Sequence, residues 1–460
     1  MNIKLRLTLM SFFQFFVWGA WLITIATYFF SNCMGTGVQF GAIFSTLAIS
    51  SLVMPALTGI IADKWINAER LYGMLHILYG AILIYVPQVK DADKLYYVIF
   101  GAMLCYMPTI SLSNSISYTI LKKNNFDVIK VFPPIRVWGT IGFIAAMWTT
   151  NLTGSKANAN QFIIGGIAAI LLGIFSFTLP KCPPQKTILN KSIVQQLGLE
   201  AFKLFAKYKT AAFFIFAMFL GAALQLTNMY GDTFLDDYRK YPEYFDSFVI
   251  KYSTIILSIS QISETVFILT IPFFLKRFGI KKVMLFSMLA WVLRFGLFSL
   301  GNPEEFLWMI ILSCIIYGMA FDFFNISGSL FVETTTSPSI RSSAQGVFMM
   351  MTNGVGAFFG SKISGYVIDK FYTLKFENIN NLTAYLKTDV NNPAIQNILM
   401  KCGGERNGIM ENGTLETPVF IREWQPIWLS FAIYALVVAI LFTIFFRHKH
   451  DPQKLAIIQH

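Results

Sequence analysis

Gly59-Ile-Ile-Ala-Asp63-Lys64-Trp-Ile-Asn-Ala-Glu69-Arg70 is a short charged turn set between two long apolar runs, 39–61 and 71–88. A second turn, Pro272-Phe-Phe-Leu-Lys276-Arg277-Phe-Gly279-Ile-Lys281-Lys282, stands between the apolar runs 248–275 and 282–301. Both turns are short and basic, and each follows the second apolar run of its half of the chain. Further runs at 7–30, 95–120, 128–152, 160–180, 209–235, 306–331, 342–369 and 424–446 complete the pattern. A helix needs about 20 apolar residues to cross the hydrocarbon layer, and each run is near or above that length. The spacing predicts an all-α polytopic membrane protein of about twelve spans in two halves.

Composition agrees. Of 460 residues, 55% are hydrophobic and 13% charged, with 46 Phe; the mean hydropathy is +0.58. Soluble domains carry about a quarter charged residues. So few charges cannot cover a water-soluble surface of this size, whereas a lipid-facing surface must be apolar. The net charge of +12 raises nucleic acid as a partner. The basic residues exclude it, because they sit in short loops between apolar runs rather than on one face.

Loop charge sets the orientation. One set of alternate segments holds Lys4 and Arg6; Lys64 and Arg70; Lys122, Lys123 and Lys130; Lys181, Lys186, Lys191, Lys203, Lys207 and Lys209; Lys276, Arg277, Lys281 and Lys282; Arg341; and Arg447 and Lys449. The other set is balanced or acidic, as with Lys90 and Lys94 beside Asp91 and Asp93, or Glu304 and Glu305. The positive-inside rule makes the first set cytoplasmic and places both termini inside. The first apolar run is too long for a cleavable signal and reads as a span.

The domains expected are a six-helix bundle at 1–180, a cytoplasmic linker at 181–208, and a second bundle at 209–460 with an extended outer loop at 371–423. That loop is polar, Asn-rich and too long for a hairpin, so it is either a small cap or a mobile loop. It carries two glycosylation-type triplets, at Asn381 and Asn412, a pattern common by chance. The five cysteines, Cys33, Cys105, Cys182, Cys314 and Cys402, show no metal spacing and read as packing residues. Cys33 and Cys402 both fall on the outer side, which leaves their pairing open.

Polar groups at membrane depth are costly, so they face a cavity or one another. Arg136, Thr140 and Phe143 stand at i, i+4 and i+7 of one span, on one helical face just after Pro133 and Pro134. A cation, a hydroxyl and a ring on one stripe suit a polar aromatic solute; an arginine reaching for the interface, with Phe143 as packing, is the other reading. Gln225 and Asn228, and Gln261 and Glu264, are i, i+3 pairs in the second half. Amides both donate and accept, which suits sugar hydroxyls and base edges, or else glues helices together. Tyr317 and Phe321 lie one turn apart and could hold a flat ring, or simply pack. Gln14, Trp18 and Trp21 form a comparable stripe of less defined use, and the Ser/Thr/Asn-rich run Thr109–Tyr118 reads as close helix packing.

Two acids lie at comparable depth, Glu264 and Asp322. Burial favours the neutral form of a carboxylate, so such a group can carry a proton across the membrane. The reading adopted is Glu264 as the titrating group and Asp322 paired with Arg294 as a structural or gating ion pair. Asp63 is the helix-ending acid of the first basic turn and a second gating candidate. No phosphate-binding glycine loop with Lys-Ser/Thr, no HExxH and no triad is present, and the 4 histidines form no metal set. No enzyme activity, cofactor or metal is expected.

The first turn, Gly59 to Arg70, resembles the loop signature of the major facilitator superfamily. Phe132-Pro-Pro-Ile-Arg136-Val-Trp-Gly-Thr140-Ile-Gly-Phe143, Leu224-Gln225-Leu-Thr-Asn228-Met, Ser258-Ile-Ser-Gln261-Ile-Ser-Glu264-Thr, and Tyr317-Gly-Met-Ala-Phe321-Asp322-Phe-Phe-Asn325-Ile-Ser-Gly328 are similar to the nucleoside:H+ symporters of that superfamily, as is Ser11-Phe-Phe-Gln14-Phe-Phe-Val-Trp18-Gly-Ala-Trp21. The resemblance runs to about residue 370 and resumes near Trp424; the 371–423 segment is longer than expected for the family. It implies proton-driven import of purine and pyrimidine nucleosides across the bacterial inner membrane by alternating access. It further implies a central cavity where Arg136, Thr140, Phe143, Gln225, Asn228, Gln261, Glu264, Tyr317 and Phe321 meet the substrate. The partners implied are nucleosides, protons and the lipid bilayer. Without the resemblance, a sugar or oligosaccharide symporter and a passive channel remain open.

Overall fold

The computed structural model describes residues 2–184, 199–337, 340–402, 409–410 and 412–447. Part of the expected linker, residues 185–198, and Lys449 therefore lie outside the described residues. The helices are α1 (Ile3–Gly19), α2 (Ile25–Ser31), α3 (Gly37–Lys64), α4 (Ala68–Tyr85), α5 (Ala92–Lys123), α6 (Val128–Leu152), α7 (Asn160–Ser176), α8 (Tyr208–Asp237), α9 (Ser253–Leu300), α10 (Leu307–Thr335), α11 (Arg341–Met349), α12 (Ala357–Tyr372), α13 (Ile379–Tyr385), α14 (Pro393–Cys402) and α15 (Trp424–Phe445). Among the described residues, 8 helices are long and apolar enough to cross a membrane. The chain is a multi-pass membrane protein.

Several spans depart from simple rods. The first run is two helices, α1 and α2, with turns over residues 20–24 between them. α9 covers the two runs expected at 248–275 and 282–301, and the chain reverses at Gly279, whose φ of 77° is the non-helical dihedral inside it. Glycine reaches positive φ without a Cβ clash, so one residue makes the turn. The run at 342–369 is α11 and α12 joined by a π-helical stretch, Met350–Gly356. Such bulges cluster at functional positions in helices.

The chain forms two compact units: residues 1–25 with 42–200, and residues 26–41 with 201–460. In the first, α4 lies almost backbone to backbone with α7. A Cβ at Gly80 would stand 2.6 Å from the Gly166 carbonyl oxygen, and one at Gly166 2.8 Å from that of Gly80. Close approach through small residues replaces the hydrophobic drive that lipid removes. Polar side chains lock the interior: Gln14 Nε2 donates to Thr109 Oγ1 at 2.9 Å, and Tyr72 OH donates to Gln14 Oε1 at 2.6 Å. Tyr106 OH donates to the Gln14 carbonyl at 2.7 Å, and Trp21 Nε1 to Tyr79 OH at 2.7 Å. Gln14 and Trp21 thus serve the packing of α1, as does Thr109 from the polar run of α5.

The start of the linker is pinned to this unit. Glu69 is buried and its Oε2 accepts from the Cys182 backbone N–H at 2.8 Å, while the Ala68 N–H donates to the Cys182 carbonyl at 3.1 Å. Burial, and then the Glu69 carboxylate, push the Cys182 thiol up to about 12, with Lys123 opposing. The thiolate is the reactive form. Cys182 is therefore expected to resist a thiol-specific maleimide at pH 7–9 in folded protein and to react once unfolded. Stoichiometric labelling of native protein at pH 8, read by mass spectrometry, would refute this.

In the second unit α9 packs against α10 and α15, and α8 against the π stretch and α12. Within 371–423, the segment expected to be a cap or a mobile loop, the described residues form a folded unit. Strands β1 (Thr373–Asn378) and β2 (Thr414–Arg422) pair antiparallel, with Thr373 opposite Arg422. With α13 and α14 they bury a core of Ile379, Leu382, Leu386, Ile395, Ile398, Leu399, Leu415, Val419 and Ile421. Buried charges moor the cap. Asp237 accepts from Arg422 Nη1 at 3.2 Å and Trp424 Nε1 at 3.0 Å, and pairs with Lys240 at 2.6 Å. The Arg422 guanidinium lies 3.6 Å from the Phe30 ring centroid. Residues 26–41 join this unit through polar contacts: Thr27 donates to Asp232 at 2.5 Å, and Asp369 accepts from the Gly37 and Val38 N–H groups at 2.8 and 2.7 Å. Cys33 is disulfide-bonded; the side chain of Cys402 lies outside the described residues.

Candidate functional site

In the first unit the three expected residues fall on α6, which begins at Val128 and runs through Pro133 and Pro134. The prolines lie inside the helix rather than at its start. Arg136 and Thr140 are half-buried and Phe143 is buried. The Arg136 guanidinium lies over the Phe15 ring of α1, 4.1 Å from its centroid. Gly139 makes room for this: a Cβ there would stand 2.6 Å from the Phe15 ring and 2.7 Å from Arg136 Nη1. One turn on, Trp18 meets Phe143 edge-to-face with centroids 6.3 Å apart. The stripe on α6 is therefore faced by a second stripe, Phe15 and Trp18, on α1. The sequence showed Trp18 but gave no reason to single out Phe15, because its partner is 121 positions away on another helix.

In the second unit α8, α9 and α10 supply the rest. Gln225 and Asn228 are half-buried on α8, and Gln225 Oε1 is buried without a hydrogen bond among the described residues. Gln261 and Glu264 are half-buried on α9. On α10 the Tyr317 and Phe321 rings are parallel to within 7°, with centroids 5.9 Å apart. Tyr317 is buried on α10, and Gln261 is half-buried on the first limb of α9. Gly318 allows the two helices to meet: a Cβ there would stand 2.5 Å from the Ser263 carbonyl oxygen and 2.7 Å from the Glu264 nitrogen. Ser263 Oγ also donates to the Ile315 carbonyl. The structure thus gathers Gln261, Glu264, Tyr317 and Phe321 at one crossing of two helices.

The ion pair expected between Arg294 and Asp322 is not formed. Arg294, fully buried on the second limb of α9, donates from Nη1 to the Ser313 carbonyl at 2.7 Å and lies over the rings of Tyr317 and Phe298, at 4.6 and 4.9 Å. A carbonyl dipole and two aromatic faces solvate this cation in place of a carboxylate. Asp322 is buried on α10, its Oδ2 makes no hydrogen bond among the described residues, and its charged neighbour is Glu264. Asp63 is exposed at the end of α3 and makes no ion pair among the described residues; in that turn the buried acid is Glu69. Among the described residues no three His, Cys, Asp or Glu side chains gather as a metal site requires.

Removing an amide that serves a buried polar ligand leaves its partner unpaired, at about 1–3 kcal/mol. Gln225→Ala and Asn228→Ala are each expected to weaken ligand binding by about that amount. Calorimetric titration of purified protein checks this, and unchanged affinity in both folded variants would remove α8 from the site.

The model of a family described as nucleoside H+ symporter matches residues 1–451. The xanthosine permease of Escherichia coli is 44% identical over 457 residues, covering 99% of this chain and 98% of that protein. The nucleoside permease NupG of Escherichia coli is 44% identical over 451 residues, covering 98% and 97%. The crystal structure of the nucleoside transporter NupG superposes with a TM-score of 0.82 over 98% of this chain and 100% of that one. A bacterial homologue of the lysosomal transporter Spinster, 15% identical, shares the fold with a TM-score of 0.65. The fold is the major facilitator one expected from the repeated basic turns. With a family match across nearly the whole length and relatives this similar end to end, the chain belongs to the nucleoside H+ symporter family.

Proposed function

We propose that this protein imports purine and pyrimidine nucleosides together with protons across the bacterial inner membrane, with both termini in the cytoplasm. Each unit offers its own contacts. Arg136, Thr140 and Phe143 serve in the first; Gln225, Asn228, Gln261, Glu264, Tyr317 and Phe321 serve in the second. The observation that carries the reading is the crossing of α9 and α10. There the backbone of Ser263 and Glu264 on α9 meets Gly318 on α10, between the parallel rings of Tyr317 and Phe321, with the Gln261 amide one turn back along α9. A flat base suits the rings, ribose hydroxyls suit the amide, and Glu264 is a proton carrier beside them. Asp322, acting on Glu264 rather than on Arg294, belongs to the same proton-carrying group.

The test is uptake of radiolabelled uridine and adenosine by cells or proteoliposomes, with and without a protonophore. Uptake that the protonophore abolishes, and that other nucleosides compete but free bases and sugars do not, supports the proposal. Uptake indifferent to the protonophore makes the protein a passive channel. Competition by sugars makes it a sugar symporter.

A further inference from the structure

Arg294 is a buried cation that no function so far explains. A guanidinium taken out of water is expensive unless its donors are met, and a carboxylate would be the usual partner. Its actual neighbours lie on the three helices that carry the proposed substrate contacts of this unit. Nε reaches Thr227 Oγ1 on α8 at 3.5 Å, next in sequence to Asn228. Nη1 reaches Ser260 Oγ on the first limb of α9 at 3.5 Å, next to Gln261. The same Nη1 donates to the Ser313 carbonyl on α10 at 2.7 Å, and Ser313 Oγ donates back to the Arg294 carbonyl at 3.0 Å. The guanidinium carbon then lies 4.6 Å from the centre of the Tyr317 ring, one turn further along α10, and 4.9 Å from that of Phe298.

We infer that Arg294 is a positioning residue. It holds α8, α9 and α10 in register from behind and fixes the Tyr317 ring that the nucleoside base stacks on. The inference rests on the nucleoside reading of that site. The geometry selects an arginine for two reasons. A planar fork reaches three helices at once and can stack on a ring, whereas a lysine ammonium is a single point on a flexible stem. Among the described residues Arg294 makes no ion pair, so its cost to the fold is not returned by one. An apolar side chain of similar length would relieve that cost.

The test uses the full-length transporter, purified in detergent and reconstituted in proteoliposomes, with uridine and adenosine as ligands. Arg294→Met removes the charge and the fork; Arg294→Lys keeps the charge and loses the fork. Both are expected to bind nucleoside on the order of tenfold more weakly. In transport the loss is expected in KM, with the maximal rate little changed. The thermal midpoint of Arg294→Met is expected to equal or exceed that of the wild type. Wild-type affinity in Arg294→Lys overturns the inference, because the charge alone then suffices. A double-mutant cycle with Tyr317→Leu gives the second reading: once the ring is gone, losing Arg294 is expected to cost little more. Fully additive losses overturn the inference. Failure of the wild-type protein to bind either nucleoside, or full affinity in Tyr317→Leu, sinks the proposed site itself, whatever Arg294 does.

Discussion

Glu264→Gln is expected to abolish nucleoside accumulation against a gradient while leaving binding and counterflow exchange measurable. The substitution keeps the shape of the side chain and mimics its protonated form, so the hydrogen bonds available to a sugar are retained. The titrating oxygen is lost, and with it the means of tying one solute movement to one proton movement. The effect on concentrative uptake is therefore total, whereas the effect on affinity is a matter of a few-fold. Asp322→Asn is the necessary comparison. Paired with Arg294, Asp322 would have shifted only the conformational balance when removed. It sits instead under the influence of Glu264, with one oxygen lacking a hydrogen bond among the described residues. Asp322→Asn is accordingly expected to change the pH dependence of uptake, which a purely structural acid would leave alone. The measurements are proton-driven uptake, counterflow, and nucleoside binding across pH in both variants. Concentrative uptake by Glu264→Gln, with none by Asp322→Asn, would reverse the two assignments.

How much of this was legible in the sequence differs by level. Length and apolarity alone bounded α6, expected at 128–152 and found at Val128–Leu152, because a span must be long and apolar whatever it packs against. The break in the first span over residues 20–24 and the π stretch at Met350–Gly356 were not legible. Neither changes hydropathy, and each depends on what the helix meets. The outer cap was half legible. Its polar, Asn-rich composition and length marked it as either a small cap or a mobile loop, but its core residues are spread from Ile379 to Ile421, and their meeting is a matter of strand pairing. On α10 the i, i+4 spacing of Tyr317 and Phe321 matches rings that lie parallel 5.9 Å apart, since one helix sets that distance. Contacts between helices were where sequence reasoning erred. An arginine and an aspartate in neighbouring spans invite pairing, yet Arg294 is met by a backbone carbonyl and two rings that no charge pattern reveals.

Gly318→Ala is expected to cost both stability and nucleoside binding. The added Cβ would stand 2.5 Å from the Ser263 carbonyl oxygen, 2.6 Å from the Ser263 carbonyl carbon and 2.7 Å from the Glu264 nitrogen. All three are backbone atoms of α9, so no side chain can swing aside; the two helices must part. Overpacking of this kind costs about 1–3 kcal/mol in stability. The loss in function is expected to be larger, because the crossing that opens is the one that sets the backbone of Ser263 and Glu264 against the turn carrying Tyr317 and Phe321. The hydrogen bond from Ser263 Oγ to the Ile315 carbonyl would lengthen with it. Nucleoside binding is therefore expected to fall by more than the stability does, and concentrative uptake to fall with it. Gly296, where a Cβ meets nothing within 4 Å, is the control: Gly296→Ala is expected to leave binding and uptake unchanged. Thermal unfolding, calorimetric titration with uridine and proteoliposome uptake on both variants decide the matter. If Gly318→Ala binds uridine as the wild type does, the contact between α9 and α10 does not shape the site, and the residues placed there act separately.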